Sequence, residues 1–340
     1  MVNRELGEGT TFRHTPGRGQ VKVGYFGLPL GAYLLMRDGH ELDPCVLSPL
    51  SAPGRRRVAR KLAPASLLDA LGAPRDQLNA QIEQALARAQ PALIVSWFWT
   101  RLLPAAWLNA APLGGIGVHP SLLPRHRGPN PYYWSIDSGD QETGVTLHTL
   151  APEYDTGTIL LQRAIPVGER NSWQLARALD RPSLALLREG VGRFARSHPP
   201  TPTAQHEQAA TWAPEPTGRE LGVDWTWPSA RVLRRIRAIS PVPGLAVEVG
   251  GLRFFVTRAK PATDFVSALV AGEAAVIGRP GTLVIRTGDG AIAVERALLD
   301  DDGAVTEEDR DSEGDGFEAE QLDGHALAEA VALRVGRVPR

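Results

Sequence analysis

Val21 to Phe26 is apolar and in part β-branched or aromatic, which reads as a strand, and the apolar stretch from Ala92 to Phe98 has the pattern of a strand covered on both faces. The first run passes through Gly27-Leu28-Pro29-Leu30-Gly31 into the apolar stretch Ala32-Tyr33-Leu34-Leu35-Met36, which predicts a strand, a loop and a helix. Before the second run, Leu78, Ile82, Ala85 and Leu86 recur at helical spacing. Strands alternating with helices imply an α/β architecture with a mainly parallel sheet. In such sheets ligands collect beyond the carboxyl ends of the strands, so the loops after Phe98 and Val118 are the places to look. Gly27 and Gly31 lack the full Gly-x-Gly-x-x-Gly spacing that cradles a dinucleotide, and NAD is not expected.

Further on, Leu175, Leu179, Leu184, Leu187 and Val191 predict a helix from Trp173 to Phe194, which Pro182 either kinks or divides. Pro199, Pro200 and Pro202 then mark residues 197–211 as a linker. Beyond it come a helix from Ser229 to Ile239, one hairpin turning at Gly250-Gly251 and another at Gly288-Asp289-Gly290, and a closing helix from Ala326 to Val335. The expected organisation is therefore a flexible arm (1–20), an α/β domain (21–196), the linker (197–211) and a small β-rich domain (212–340).

Composition narrows the function classes. Lys and Arg number 37 against 38 Asp and Glu, a formal net charge of −1, which removes the broad positive footprint of a phosphate-gripping nucleic-acid binder. Arg55, Arg56, Arg57, Arg60 and Lys61 cluster early, whereas Asp300 to Asp323 is dominated by acids; both read as solvated loops. Cys45 is the single cysteine, which excludes an internal disulfide and a thiolate-rich metal site, and its apolar neighbours favour a buried structural role. No run approaches the roughly 20 apolar residues that cross a bilayer, so neither a membrane nor a metal partner is expected and the location expected is cytoplasmic.

The most informative stretch holds Val118-His119-Pro120-Ser121-Leu122-Leu123-Pro124-Arg125-His126-Arg127-Gly128, then Glu142-Thr143-Gly144-Val145-Thr146, then Asp155-Thr156-Gly157. His119 ends an apolar strand and faces an Arg-bearing loop stiffened at Pro120, Pro124, Pro129 and Pro131. These residues resemble the folate-dependent formyltransferase family that includes methionyl-tRNA formyltransferase, the amino-sugar formyltransferases and the glycinamide ribonucleotide enzyme. Gly24 to Pro29, Trp212-Ala213-Pro214 and Ile236 to Gly244 extend the resemblance over nearly the whole chain from residue 21. It implies a Rossmann-like formyltransferase domain followed by a small β-barrel-like (OB-like) domain.

The resemblance also implies a donor, 10-formyltetrahydrofolate, and an acceptor amine. That family uses an Asn, a His and an Asp, and the last two match His119 and Asp155. His119 would donate to the formyl oxygen as charge grows there, and Asp155 would accept a proton from the attacking amine. The Asn position is occupied by Gly117, which has no side-chain donor. Asn130, the nearest amide in sequence, or a water seated over Gly117 could replace it; otherwise the chemistry has changed.

The loop containing Trp97, Phe98, Leu103 and Pro104 is placed by the resemblance against the pterin ring, with Asp155, Thr156 and Gly157 completing the folate site. Trp97 and Phe98 read from sequence alone are core packing. Ser121, Arg125, Arg127, Asn130 and Tyr132 are the candidates for holding the acceptor; Arg125 and Arg127 either anchor a substrate carboxylate or phosphate or pair with nearby acids. His148 reads as a strand residue facing the site wall. The details around His119-Pro120 and Pro129-Asn130-Pro131-Tyr132 are more similar to the small-amine members, so the expected partner is a small-molecule amine (an amino sugar, an ornithine-type amine, an amino acid or a peptide) and nucleic acid is not.

Overall fold

The computed structural model describes residues 19–299 and 321–336. The expected arm falls almost wholly outside the described residues, as does most of the acidic segment 300–323.

The apolar runs form β1 (Lys22–Gly27) and β4 (Leu93–Trp97), side by side and parallel at the centre of a seven-stranded sheet. With β2 (Glu41–Leu47), β3 (Leu67–Asp69), β5 (Gly115–His119), β6 (Glu142–Thr149) and β7 (Ile159–Pro166), the order is β3-β2-β1-β4-β5-β6-β7. The first five strands are parallel, and β6 and β7 are antiparallel. Alternation along the strands divides the core between two faces. Ile94 and Phe26 face the layer of α3 (Arg75–Ala89) and α4 (Ala105–Asn109), while Val95, Ile116 and Leu147 face that of α1 (Pro29–Arg37), α5 (Pro131–Asp137) and α6 (Ser172–Ala195). The short α2 (Arg55–Ala59) follows β2. Cys45 is fully buried among apolar side chains, which pushes its thiol pKa upward.

Pro182 does not divide the predicted helix: α6 runs unbroken for 24 residues. Its start is fixed by Asn171, whose side chain accepts from the Gln174 amide while the Gln174 side chain accepts from the Asn171 amide. Burial of Leu175, Leu179, Leu187 and Val191 on one stripe supplies the packing that outweighs the one backbone hydrogen bond a proline removes.

The C-terminal strands β8 (Leu245–Val249), β9 (Leu252–Pro261), β10 (Ala274–Ile277), β11 (Thr282–Arg286), β12 (Ala291–Leu299) and β13 (Gln321–Asp323) form an antiparallel half-barrel sheet, and both hairpins turn where the glycines foretold. The helix α8 (Gly324–Val335) packs Leu327, Ala328 and Val331 against it, and Asp323 caps its first turn. The two sheets are joined through α7 (Ser229–Ala238): Arg235 Nε donates to Asp137 Oδ1 at 2.7 Å, and Arg231 adds a contact of 3.2 Å to Oδ2. No helix among the described residues is long and apolar enough to cross a membrane.

Candidate active site

Beyond the carboxyl ends of β4 and β5 lies a cleft of about 540 Å³. His119, the last residue of β5, and Asp155, in the loop between β6 and β7, meet on its floor with His119 Nδ1 3.3 Å from Asp155 Oδ2. The other imidazole nitrogen, Nε2, donates to the His126 carbonyl oxygen at 2.7 Å, which fixes the ring's orientation. Asp155 Oδ2 also accepts the Gly128 amide at 2.8 Å. The chain packs tightly beneath it: a β-carbon on Gly157 would fall 1.6 Å from the Thr149 carbonyl oxygen, so only glycine fits there.

His148 completes the cluster. Its Nδ1 donates to the Thr149 carbonyl at 2.9 Å, leaving Nε2 3.6 Å from Asp155 Oδ1. Burial lowers the His148 pKa and the neighbouring His119 adds to that, with Asp155 opposing. Among the described residues five that are not glycine have positive φ, and Phe98, His126 and Asp155 are three of them, at 54°, 60° and 56°. Left-handed backbone is costly for such residues, and its concentration around one cleft marks the site as constrained by its surroundings.

The sequence candidates separate cleanly. His119, Asp155, Phe98, Leu103 and Tyr132 line the cleft. Trp97 does not: strand alternation turns it to the opposite face from Ser96 and Phe98, where its Nε1 donates to Ser183 Oγ at 2.7 Å beneath α6. Pro104 is taken by the start of α4, Thr156 Oγ1 donates to the Glu153 carbonyl, and Gly157 is the packing glycine described above. Ser121 Oγ donates to the Arg125 carbonyl.

Asn130 cannot stand in for the missing amide in this geometry, because its Oδ1 caps α5 by accepting from Tyr133 and its Nδ2 donates to Glu215 at 2.9 Å. Both arginines resolve toward pairing with acids. Arg125 forks onto Asp140 through contacts of 2.8 and 2.5 Å, and Arg127 spans Gln205 and Glu207. Burial would raise the Asp140 carboxyl, but hydrogen bonds from His126 and Arg125 outweigh it and hold the group at about 2.

Residues that sequence reasoning passed over also line the cleft: Ser96, Trp99, Arg101 and Leu150, with Trp212 and Glu215 from beyond the linker. Ser96 carried one usable signal, since it shares parity with Phe98 along β4. Trp212 belongs to a motif of the resemblance but carried no local sign of lining the cleft, because its segment reaches the site through long-range contacts, bridging to Arg127 and pairing Thr203 with Ile159. Gln205 in that segment donates to the carbonyls of Asp155 and Gly157 at 2.6 and 2.7 Å, so the linker buttresses the site loop.

Comparison with known proteins agrees with this architecture. Residues 45–180 match the formyl transferase model and residues 218–309 the model of the formyl transferase C-terminal domain. A methionyl-tRNA formyltransferase of Anaeromyxobacter dehalogenans is 32% identical over 290 residues, covering 82% of this chain and 93% of that protein. One from Acidiphilium cryptum is 33% identical over 299 residues, covering 82% and 96%. Among solved structures, HypX from Aquifex aeolicus in complex with tetrahydrofolic acid superposes with a TM-score of 0.59 at 21% identity, over 94% of this chain, which spans about half (49%) of HypX. An N-formyltransferase from Helicobacter canadensis, in complex with folinic acid and dTDP-3-aminofucose, gives 0.60 at 13% identity over 81% of this chain and 98% of that one. With a third of its residues shared across most of its length and both domain models matched around the His119–Asp155 cleft, the chain belongs to the formyl transferase family.

Proposed function

We propose that the protein transfers the formyl group of 10-formyltetrahydrofolate to an amine of a small metabolite: an amino sugar, an ornithine-type amine, or an amino acid or peptide. The observation that carries this reading is the His119–Asp155 contact on the floor of a cleft of about 540 Å³. Trp99 Nε1, Arg101 Nη1 and Tyr132 Oη are buried without hydrogen-bond partners among the described residues, and all three belong to residues lining that cleft. Buried donors left unpaired are rare in folded proteins, and side-chain movement on ligand binding would bring these to the acceptors of a reduced folate. The folates named with HypX and the Helicobacter canadensis enzyme lend support from the same fold.

In this reading the folate supplies an activated formyl group, and the amine nitrogen attacks its carbon. Asp155, tethered by Gly128 and flanked by His119 and His148, takes the amine proton. The cluster then returns a proton to the folate nitrogen as it leaves. The small-amine preference rests on Arg125 and Arg127, which are engaged by Asp140, Gln205 and Glu207 and so are withdrawn from phosphate binding.

The methionyl-tRNA reading has its own supporting observation. Besides the relatives' names, Arg56, Arg60 and Lys61 stand exposed at α2 without an ion pair to any described residue. One experiment separates them: purified protein, 10-formyltetrahydrofolate, and a panel of small amines run beside charged methionyl-tRNA, with tetrahydrofolate release as readout. Turnover with a small amine is expected. Turnover confined to methionyl-tRNA would replace the acceptor, and failure to bind 5-formyltetrahydrofolate in calorimetry would sink formyl transfer itself.

A further inference from the structure

Formyl transfer places negative charge on the formyl oxygen, and the site must supply a donor to it. The obvious side chain is already engaged: His119 Nε2 donates to the His126 carbonyl and Nδ1 faces Asp155. Position 117, two residues earlier on β5, offers only glycine. Strand registers put Ser96 of β4, Gly117 of β5 and His148 of β6 in one row, so their side-chain positions share a face. That row forms part of the cleft.

Of the two neighbours of Gly117, His148 spends its Nδ1 proton on the Thr149 carbonyl and turns Nε2 toward Asp155. Ser96 makes no hydrogen bond to any described residue through its hydroxyl. A β-carbon at position 117 would lie 3.7 Å from Ser96 Cβ and 2.9 Å from Leu150 Cδ2, so Leu150 leans over one side of the gap and the Ser96 side chain borders the other.

We propose that Ser96 is a catalytic residue whose hydroxyl donates to the formyl oxygen beside Gly117, where no side-chain donor stands. This assignment rests on the formyl-transfer reading. The acceptor nitrogen forms its bond to the formyl carbon while the carbonyl π pair moves onto oxygen, where the Ser96 hydroxyl meets it. The nitrogen's proton passes to the Asp155 cluster. The pair on oxygen then re-forms the carbonyl as the bond to N10 of the folate breaks, and N10 takes a proton from the cluster, giving a formamide and tetrahydrofolate. Water or hydroxylamine passes through the same oxyanion as a biological amine, so the assignment is testable without knowing the acceptor.

The test compares the wild type with Ser96→Ala and Ser96→Thr in full-length protein, using hydroxylamine as acceptor and 10-formyltetrahydrofolate as donor. The readouts are the rate of tetrahydrofolate formation under donor saturation and the affinity for 5-formyltetrahydrofolate by calorimetry. Loss of one oxyanion donor typically costs ~10²–10³ in rate. Ser96→Ala is expected to lose about 10²-fold in that rate, with folate affinity and melting temperature unchanged, and Ser96→Thr, which keeps the hydroxyl, to recover most of it. Ser96→Ala turning over at the wild-type rate while binding folate normally would overturn the assignment and leave formyl transfer standing. A wild type that binds no folate would overturn both.

Discussion

The cleft floor and the loop behind it are built from similar residues and have opposite characters. Behind the floor, Arg125, His126 and Asp140 are locked together by contacts of 2.5 to 2.8 Å, and Arg127 is held by Gln205 and Glu207. On the floor, His119 and His148 stand 3.3 and 3.6 Å from Asp155, and the lining residues Trp99, Arg101 and Tyr132 carry donors with no partner among the described residues. The saturated region can position, having spent most of its charged groups on one another. The unsaturated region can bind and react, at the cost of polar groups that folding alone leaves unsatisfied. His126 joins the two, since its side chain belongs to the saturated set while its carbonyl orients His119.

Three substitutions would break or sharpen this contrast. The largest effect is expected on the floor. A positioned proton acceptor typically contributes 10²–10⁴-fold, so Asp155→Asn should lower kcat by about 10³-fold with little change in melting temperature, measured by tetrahydrofolate release and calorimetry. A variant within threefold of wild type would remove Asp155 from the chemistry.

Next comes Asp140→Asn, in the saturated region, which should cost about 1–3 kcal/mol of stability by leaving the buried donor of His126 unpaired and releasing the half-exposed Arg125. The pH dependence follows from the depressed carboxyl. With the folded group at about 2 and the ordinary value at 3.8, its contribution is complete above pH 4 and fades as the pH falls toward 2. The variant should therefore show a flatter acid limb in pH-dependent denaturation, and an unchanged limb would mean that the Arg125–Asp140–His126 set is not what holds the loop.

The smallest effect is expected for Arg127→Gln. Its partner Glu207 is largely exposed, so solvent screening leaves the pair little weight in stability, and the acceptor's KM should stay within about threefold. A tenfold rise in KM for a phosphorylated acceptor would show that Arg127 leaves Glu207 for substrate, and would reverse the argument for a phosphate-free amine.

Much of the fold was legible before any coordinates. The apolar runs at β1 and β4, the stripe on α3 and the glycine turns of the C-terminal hairpins rest on local periodicity and local backbone preference, which a sequence displays directly. His119 and Asp155 were legible for another reason: they sit inside motifs whose spacing matches the family. What resisted was anything decided by which way a side chain points. Trp97 and Ser96 are adjacent in sequence, yet one lies under α6 and the other in the cleft.

The sequence by itself therefore showed several of the strands and helices, because these follow from short-range patterns, and it pointed to His119 and Asp155 because their motifs resemble a family. Only the tertiary structure decided that Arg125 and Arg127 are bound to acids, that the Asn130 amide is spent on Glu215, and that Ser96 stands beside Gly117. Those outcomes depend on partners distant along the chain, 80 residues for Arg127 and Glu207, and on sheet registers that place β4, β5 and β6 side by side. A hydrogen bond is a short-range force acting between groups that only the folded chain brings within reach.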